Sequence, residues 1–398
     1  MSPQAVTILG STGSIGKSTL DVIKQHPQRF SVFAITANTQ VELLLEQITL
    51  FSPRYAVMAS TRCAEQLDKN VRELGLETQV LAGADGLATV SSHDAVDVVM
   101  AAIVGAAGLL PTLAAAKAGK KILLANKEAL VMAGQLFMDT VRDHDAELLP
   151  IDSEHNAVFQ CIHGSRSDSL SDLGINKITL TASGGPFRQT PIAQLRDVTP
   201  EMACAHPNWS MGRKISVDSA SMLNKGLELI EACWLFSASP EQVDTVIHPQ
   251  SIVHALVSYI DGSVLAHLGN PDMRVPIAAA MSWPKRITSG VKSLDLVELA
   301  QLDFSKPDLE RFPCLQLSMD AMTAGGVATV VLNAANEVAV EAFLQKKIRF
   351  TDIPILLEEL LGKSVNKNLA SIGAVLEQDQ LARAAAQQWV FDRSGAGL

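Results

Sequence analysis

The sequence predicts an α/β protein: a doubly wound parallel sheet first, then a second α/β domain built on a mixed sheet, then a C-terminal helical domain. Three observations predict it. Over the first 150 residues short apolar runs alternate with helical patterns. From about residue 151 that rhythm stops, and from Cys314 onward Leu, Ala and Glu recur at helical spacing. Alternating βα units imply a parallel sheet covered on both faces, with ligands at the carboxyl ends of its strands.

The strand candidates of the first part are Ala5–Leu9, Val32–Ala37, Tyr55–Met58, Val96–Ala101, Ile122–Ala125 and Leu148–Ile151. They are short, β-branched and apolar on both faces, as strands buried in a parallel sheet are. Val41–Phe51 and Leu109–Ala118 read as helices between them. In the second part Lys177–Thr181 and the pair Val253–Tyr259 and Val264–His267 read as strands. The pair is joined by "IDGS", a hairpin turn. Asp218–Phe236 reads as one long helix with Asp218 as its cap. Pro284, Gly290, Pro307 and Pro313 lie among polar residues and mark a crossing linker. The division expected is therefore 1–150, 151–285, a linker over 286–312, and 313–398.

The net charge of −10 argues against a nucleic acid as the main ligand but leaves room for a small phosphorylated one. The five cysteines are widely scattered with no C-x-x-C pair, which reads as reduced thiols in a cytoplasm. No secretory or transit segment is read at the N-terminus, and no membrane span is expected.

"VTILGSTGSIGKS" carries a glycine turn between a strand and a helix. A triphosphate-binding loop would need glycine at position 11, where Ser11 stands, and Gly10 leaves one residue too many. Gly10, Gly13 and Gly16 fit a variant dinucleotide fingerprint instead, spaced G-x-x-G-x-x-G, and so point to a Rossmann-like domain. A purely structural strand–turn–helix remains the alternative. The second strand ends in Asn38-Thr39-Gln40, with no carboxylate to repel a 2′-phosphate and no cation to grip one. That leans toward NADP.

"LLPIDSEHNA" puts Asp152 and Glu154 past an apolar run. In an extended segment they point the same way and begin a site for a hard cation; the commoner reading of such residues is a capped helix start, with Ser153 or Asp152 as N-cap and Glu154 in the first turn. Ser221, Asn224, Lys225 and Glu228 fall on one face of the long helix, suited to a phosphate beside a metal, or else a solvated face with an ion pair. His206–Arg213 reads as a mobile loop with an apolar tip, able to cover a ligand. "TASGGPFR" places Ser183 before a Gly-Gly turn, an anion cradle. His248, His254 and His267 read as structural, and neither a zinc spacing nor a G-x-S-x-G elbow occurs.

"LGSTGSIG", "ANKEALV", "PIDSEHNA", "TASGGPFR", "HPNWSMGRKISVDSASMLNKGLE", "HPQS", "LGNPDMR" and "LNAANE" follow one another in this order. Together they resemble the 1-deoxy-D-xylulose 5-phosphate reductoisomerase family of isoprenoid precursor synthesis, through nearly the whole chain. The resemblance implies a metal-assisted rearrangement of the sugar phosphate, then hydride transfer from NADPH to give 2-C-methyl-D-erythritol 4-phosphate. It implies Asp152, Glu154 and Glu228 as ligands of Mg²⁺ or Mn²⁺, with Co²⁺ a further candidate, and Glu228 rather than Glu231 by the motif "NKGLE". It implies Ser183, Ser219, Asn224 and Lys225 as the phosphate pocket. Ser153, Lys127 and His206 are implied as substrate contacts, with Lys127, Glu154 and His206 catalytic, and Trp209 as a lid. Gly10, Thr12, Gly13, Ser14, Ile15, Gly16, Asn38, Thr39, Gln40, Asn126, Glu128 and Gly212 are implied as NADPH contacts. Many members carry a cation after the second strand where this chain has Asn38-Thr39-Gln40, so weaker selection of NADPH over NADH is expected. Members are typically homodimers. The competing readings are a metal-independent NADP dehydrogenase of a small phosphorylated substrate and a non-catalytic NADPH-binding regulator.

Overall fold

In the computed structural model, residues 2–162, 169–205, 209, 211–365 and 367–395 are described. By compactness the chain forms two units: 1–129, 137–156 and 272–292 in the first, and 130–136, 157–271 and 293–398 in the second. The expected linker is thus divided, its first residues belonging to the first unit. The C-terminal helices share a unit with the mixed sheet.

The first unit holds seven strands: β1 (Gln4–Leu9), β2 (Phe30–Ala37), β3 (Tyr55–Met58), β4 (Gln79–Ala82), β5 (Val98–Ala101), β6 (Lys121–Leu124) and β7 (Glu147–Pro150). They pair in parallel in the order β4-β3-β2-β1-β5-β6-β7. The order reverses at β1, so the crevice at the carboxyl ends of β1 and β5 is where this topology binds a nucleotide. Val6, Ile8, Ala34, Ile35, Val98, Val99 and Ile122 are fully buried, as continuous apolar runs in a covered parallel sheet must be. β4 was missed in the sequence because "TQVLAG" is short and begins polar; parallel pairing with β3 makes it a strand.

The segment 272–292 enters this unit from far along the chain. Its helix Arg274–Ser282 buries Ile277, Ala278, Ala280 and Met281 and packs on the helix Ser14–Gln25 and on β6. Arg274 clamps Asp272 and reaches Asp21 at 3.0 Å. At the other end His26 Nε2 lies 2.7 Å from the Thr288 carbonyl.

The second unit holds β8 (Ile175–Ala182), β9 (Val243–Ile247), β10 (Val253–Tyr259) and β11 (Val264–Leu268), in the order β11-β10-β8-β9. β8 and β9 are parallel and the other pairs antiparallel, giving the mixed sheet expected. The "IDGS" hairpin is present, with Gly262 at φ 88. β9, "VDTVI", escaped notice because only five residues carry its alternation. One face of the sheet packs through Ile178, Leu180, Ala255 and Val257 on Leu229, Ala232 and Leu315.

The long helix expected over Asp218–Phe236 is two. Arg213–Ala220 ends at Ser221, Met222 turns left-handed at φ 62, and Leu223–Leu235 begins anew. Asp218 is therefore no cap: it is buried inside the first helix, and Ser221 leaves the face shared by Asn224, Lys225 and Glu228. These helices pack on Pro313–Ala324, Val327–Leu344, Asp352–Lys363 and Ile372–Gly395 around the largest core, where Phe187, Phe343 and Phe350 meet edge to face. Val327–Leu344 is long and apolar enough to cross a bilayer by length and composition, but it carries Glu337 and Glu341 and its apolar window is 78% buried inside the protein. It is a core helix.

Candidate active site

Each functional side chain is set by a strand end or a helix start. In the first unit β1 runs into the glycine turn. Gly10 has φ 84, and a Cβ there would meet the Ala102 carbonyl oxygen at 2.7 Å. A Cβ on Gly16 would lie 2.4 Å from the Ser11 Cα. These two glycines are required by close backbone approach; at Gly13 the nearest atom would be at an ordinary 3.4 Å. Ser11 is buried, bonded to Gln47 and to the Thr36 carbonyl, which ties the turn to the end of β2. The helix Ser14–Gln25 then starts with no side-chain cap and no acidic residue in its first turn. Thr12, Gly13, Ser14 and Ile15 stay partly or fully exposed around that start, so backbone N–H groups and the helix dipole favour an anion there. Asn38, Thr39 and Gln40 are exposed beyond β2.

At the end of β6, Asn126 caps the helix Lys127–Asp143 by accepting the Ala129 N–H at 2.8 Å. Its amide donates to the carbonyls of Ile103 and Gly105, so its side chain pins the loop after β5. Lys127 and Glu128 are buried in the helix's first turn. At the end of β7, Lys127 Nζ forms an ion pair with Asp152 Oδ2. Ser153 begins a helix directly, so Asp152 and Glu154 stand at a helix start and not in an extended segment, and the Ser153 N–H donates to Asp152 Oδ1 at 3.0 Å. Ser153 Oγ donates to Glu154 Oε2. The result is an ammonium, a hydroxyl and two carboxylates at adjacent strand ends.

In the second unit β8 delivers Ser183 to a turn in which Gly184 and Gly185 have φ 80 and 65. The Gly185 N–H donates to Ser183 Oγ at 3.1 Å, and a Cβ on Gly185 would lie 2.8 Å from the Ser219 carbonyl oxygen. The Gly-Gly turn thus lets the backbone at Gly185 back onto the Ser219 carbonyl. Beyond the helix break, Asn224 and Lys225 stand in the first turn of Leu223–Leu235, which has no side-chain cap and no early acid. Asn224 Nδ2 donates to Glu228 Oε1 at 2.5 Å, and Lys225 Nζ donates to Glu228 Oε2. Glu228 is 1% exposed. Glu231 is buried one turn on. Gly212 is the exposed residue preceding the helix Arg213–Ala220. His206 lies outside the described residues.

His254, read from sequence as structural, is buried, with its ring 6.4 Å from that of Trp209 and 5.7 Å from His267. Burial first, then the Lys225 charge, lowers its pKa to about 4, so it is neutral near pH 7. A histidine inside an otherwise apolar strand was the only signal in the sequence. Burial pushes the Cys233 and Cys314 thiols up to about 12, which leaves them unreactive.

A dinucleotide-type sheet, a carboxylate pair at one strand end and an anion cradle beside a gripped glutamate define a class: a nucleotide-dependent enzyme acting on a small phosphorylated substrate. The comparisons give the family. Residues 6–134 match the family model described as 1-deoxy-D-xylulose 5-phosphate reductoisomerase. Residues 148–236 match that of the reductoisomerase C-terminal domain, and residues 268–385 a further DXP reductoisomerase C-terminal domain. The 1-deoxy-D-xylulose 5-phosphate reductoisomerase of Pseudomonas fluorescens SBW25 is 60% identical over 97% of this chain and 98% of its own. That of Cellvibrio japonicus is 60% identical over the same shares. A crystal structure of DOX-P reductoisomerase with NADPH, fosmidomycin and magnesium superposes with TM-score 0.94 at 48% identity, covering 97% of this chain and 98% of that one. The Zymomonas mobilis enzyme with NADPH superposes at 0.89 and 46% identity, covering 98% and 99%. The chain belongs to the 1-deoxy-D-xylulose 5-phosphate reductoisomerase family.

Proposed function

We propose that the chain converts 1-deoxy-D-xylulose 5-phosphate, NADPH and a proton into 2-C-methyl-D-erythritol 4-phosphate and NADP⁺, with a divalent cation, in isoprenoid precursor synthesis. The observation that carries this is Lys127 paired with Asp152 beside Glu154 at the ends of β6 and β7. A plain dehydrogenase needs no such acidic pair, and family membership disfavours the metal-independent alternative.

The donor set fits a hard cation. Asp152, Glu154 and Glu228 supply only carboxylate oxygens, the ligand type of Mg²⁺ or Mn²⁺. Bound there, the cation supplies Lewis acidity and a template for two substrate oxygens, and the nicotinamide supplies hydride. The chain's residues do the rest. Ser183, Ser219, Asn224 and Lys225 bind the phosphate; Ser153 orients the sugar. Lys127 holds a proton beside the reacting oxygens. His206 joins Lys127 and Glu154 in the catalytic set on the strength of the resemblance. Trp209 shields the site from water, where dryness strengthens every charge interaction. Gly10, Gly13, Gly16 and the N–H groups of Thr12, Ser14 and Ile15 take the pyrophosphate. Asn38, Thr39 and Gln40 face the adenosine ribose, and Asn126, Glu128 and Gly212 border the nicotinamide side.

By function we divide the chain at 150, 285 and 312, into nucleotide, catalytic, linking and helical parts. We also infer a cytoplasmic homodimer. The five free thiols support the compartment. The outer strand β11 supports the dimer, with Val264 52%, Leu265 39% and Leu268 36% exposed on an open edge. Light scattering on the purified protein tests the dimer.

The deciding experiment follows NADPH absorbance on adding the sugar phosphate, with Mg²⁺ and then with excess chelator. Metal-dependent oxidation is expected. Oxidation indifferent to the chelator would restore the dehydrogenase reading, and none at all the regulator.

A further inference from the structure

Under the phosphate cradle lies a buried polar pair that the proposed chemistry leaves unused. Asp218 is 1% exposed and Asn336 0%. Asn336 Nδ2 donates to Asp218 Oδ1 at 2.9 Å, and Lys214 Nζ, one turn earlier on the helix Arg213–Ala220, meets Asp218 Oδ2 at 2.9 Å. Their surroundings are the apolar core of Val217, Ala220, Leu332, Ala335 and Ala339. A buried ion pair in such a place adds little stability over a well-packed apolar residue. What it does fix is geometry.

That geometry is the helix break. Asp218 adjoins Ser219, and its carbonyl accepts from Ser221 Oγ at 3.1 Å. Ser221 Oγ in turn accepts the Leu223 N–H at 3.4 Å. Between them Met222 sits at φ 62, ψ 8, a left-handed conformation unfavourable for any residue with a side chain. An unpinned break of this kind relaxes toward continuous helix. Asn224 and Lys225, two and three residues past the break, would then turn relative to Ser219. Asn336, on the helix Val327–Leu344, is the pin: it holds Asp218 from outside the broken pair.

We propose that Asn336 is a positioning residue for the substrate's phosphate, acting through Asp218 on Ser219 and the break at Ser221–Met222. The inference rests on the phosphate-cradle reading above. It gives the C-terminal helical part a share in substrate affinity without touching substrate.

The test is Asn336→Ala in the full-length enzyme, assayed with Mg²⁺ and NADPH, with inorganic phosphate as a competing anion. KM for the sugar phosphate and the inhibition constant of phosphate are expected to rise together by about tenfold, while kcat and KM for NADPH move less than about twofold. If that variant does not fold, Asn336→Ser, polar but too short to reach Asp218, carries the same expectation. Unchanged KM and phosphate inhibition in a folded variant, whatever its melting temperature, overturn the inference. So does a joint shift of all four constants, which marks general damage. Ser219→Ala separates the two claims. If it weakens phosphate inhibition and Asn336→Ala does not, only the inference falls. If Ser219→Ala leaves phosphate inhibition unchanged, the cradle reading falls and takes the inference with it.

Discussion

Lys127 and Asp152 meet as an ion pair at the carboxyl ends of neighbouring parallel strands, with side chains 8% and 19% exposed. Neither β6 nor β7 predicts the other's terminal residue; only the parallel register brings them together. Lys127→Met leaves the Asp152 carboxylate partly buried without its cation. We expect kcat to drop by about 100-fold and stability by about 1–3 kcal/mol. Steady-state kinetics and urea unfolding of the variant check both.

Glu228 is gripped by Asn224 and Lys225 in a nearly closed environment. Glu228→Gln keeps the shape and removes the carboxylate charge. The Mg²⁺ concentration for half-maximal activity should rise by about 10–100-fold, with KM for NADPH unchanged. A metal titration unaltered by the substitution would exclude Glu228 as a ligand.

Thr39 stands exposed between two amides at the end of β2. With no charge there, the ratio of kcat/KM for NADPH over NADH should be smaller than in a relative carrying a cation. Thr39→Arg should raise that ratio by about tenfold, since a hydrogen bond to a charged group is worth about 1.5–3 kcal/mol. Paired assays with the two cofactors decide it.

The glycine turn separates required from incidental glycines. Gly16→Ala forces a methyl to 2.4 Å from backbone, and overpacking of that kind costs about 1–3 kcal/mol. Loss of NADPH binding is expected with it, measurable by fluorescence titration. Gly13→Ala meets no such contact with the protein, so it should fold as the parent does, and a loss of NADPH affinity there would report the approach of the pyrophosphate itself.

His254 gives a pH dependence of known sign. Its folded pKa near 4 lies below the ordinary 6.5, so the unfolded chain binds the extra proton first. Stability therefore falls as pH drops from about 6.5 to about 4, by up to about 3 kcal/mol, and is constant above. His254→Gln should flatten that slope. Unfolding curves that stay parallel for the two proteins across the range would show that another group titrates.

The parallel sheet was legible because strands buried on both faces are continuous apolar runs, and six of its seven strands fall within a few residues of their expected positions. β4 and β9 were not, because Gln79 opens the one and Asp244 and Thr245 interrupt the other, leaving no continuous apolar run to stand out. The motif residues on either side of the helix break were legible as chemistry but not as geometry. Helical spacing puts Ser221 with Asn224, whereas the left-handed Met222, buried in the core beneath the mixed sheet, ends one helix and separates them. The role of Asp218 failed for the same reason: a carboxylate before a helical pattern reads as a cap unless one knows that a buried amide waits for it.

The segment 272–292 is made long after the sheet it completes. A ribosome releases β1 to β7 and the helix Ser14–Gln25 first. The face that receives Ile277, Ala280 and Met281, and the Asp21 carboxylate that receives Arg274, must then wait while the whole mixed sheet is synthesised. Neither half can therefore be finished independently during translation, and a fragment ending before residue 272 would carry an uncovered apolar stripe open to chaperones and aggregation.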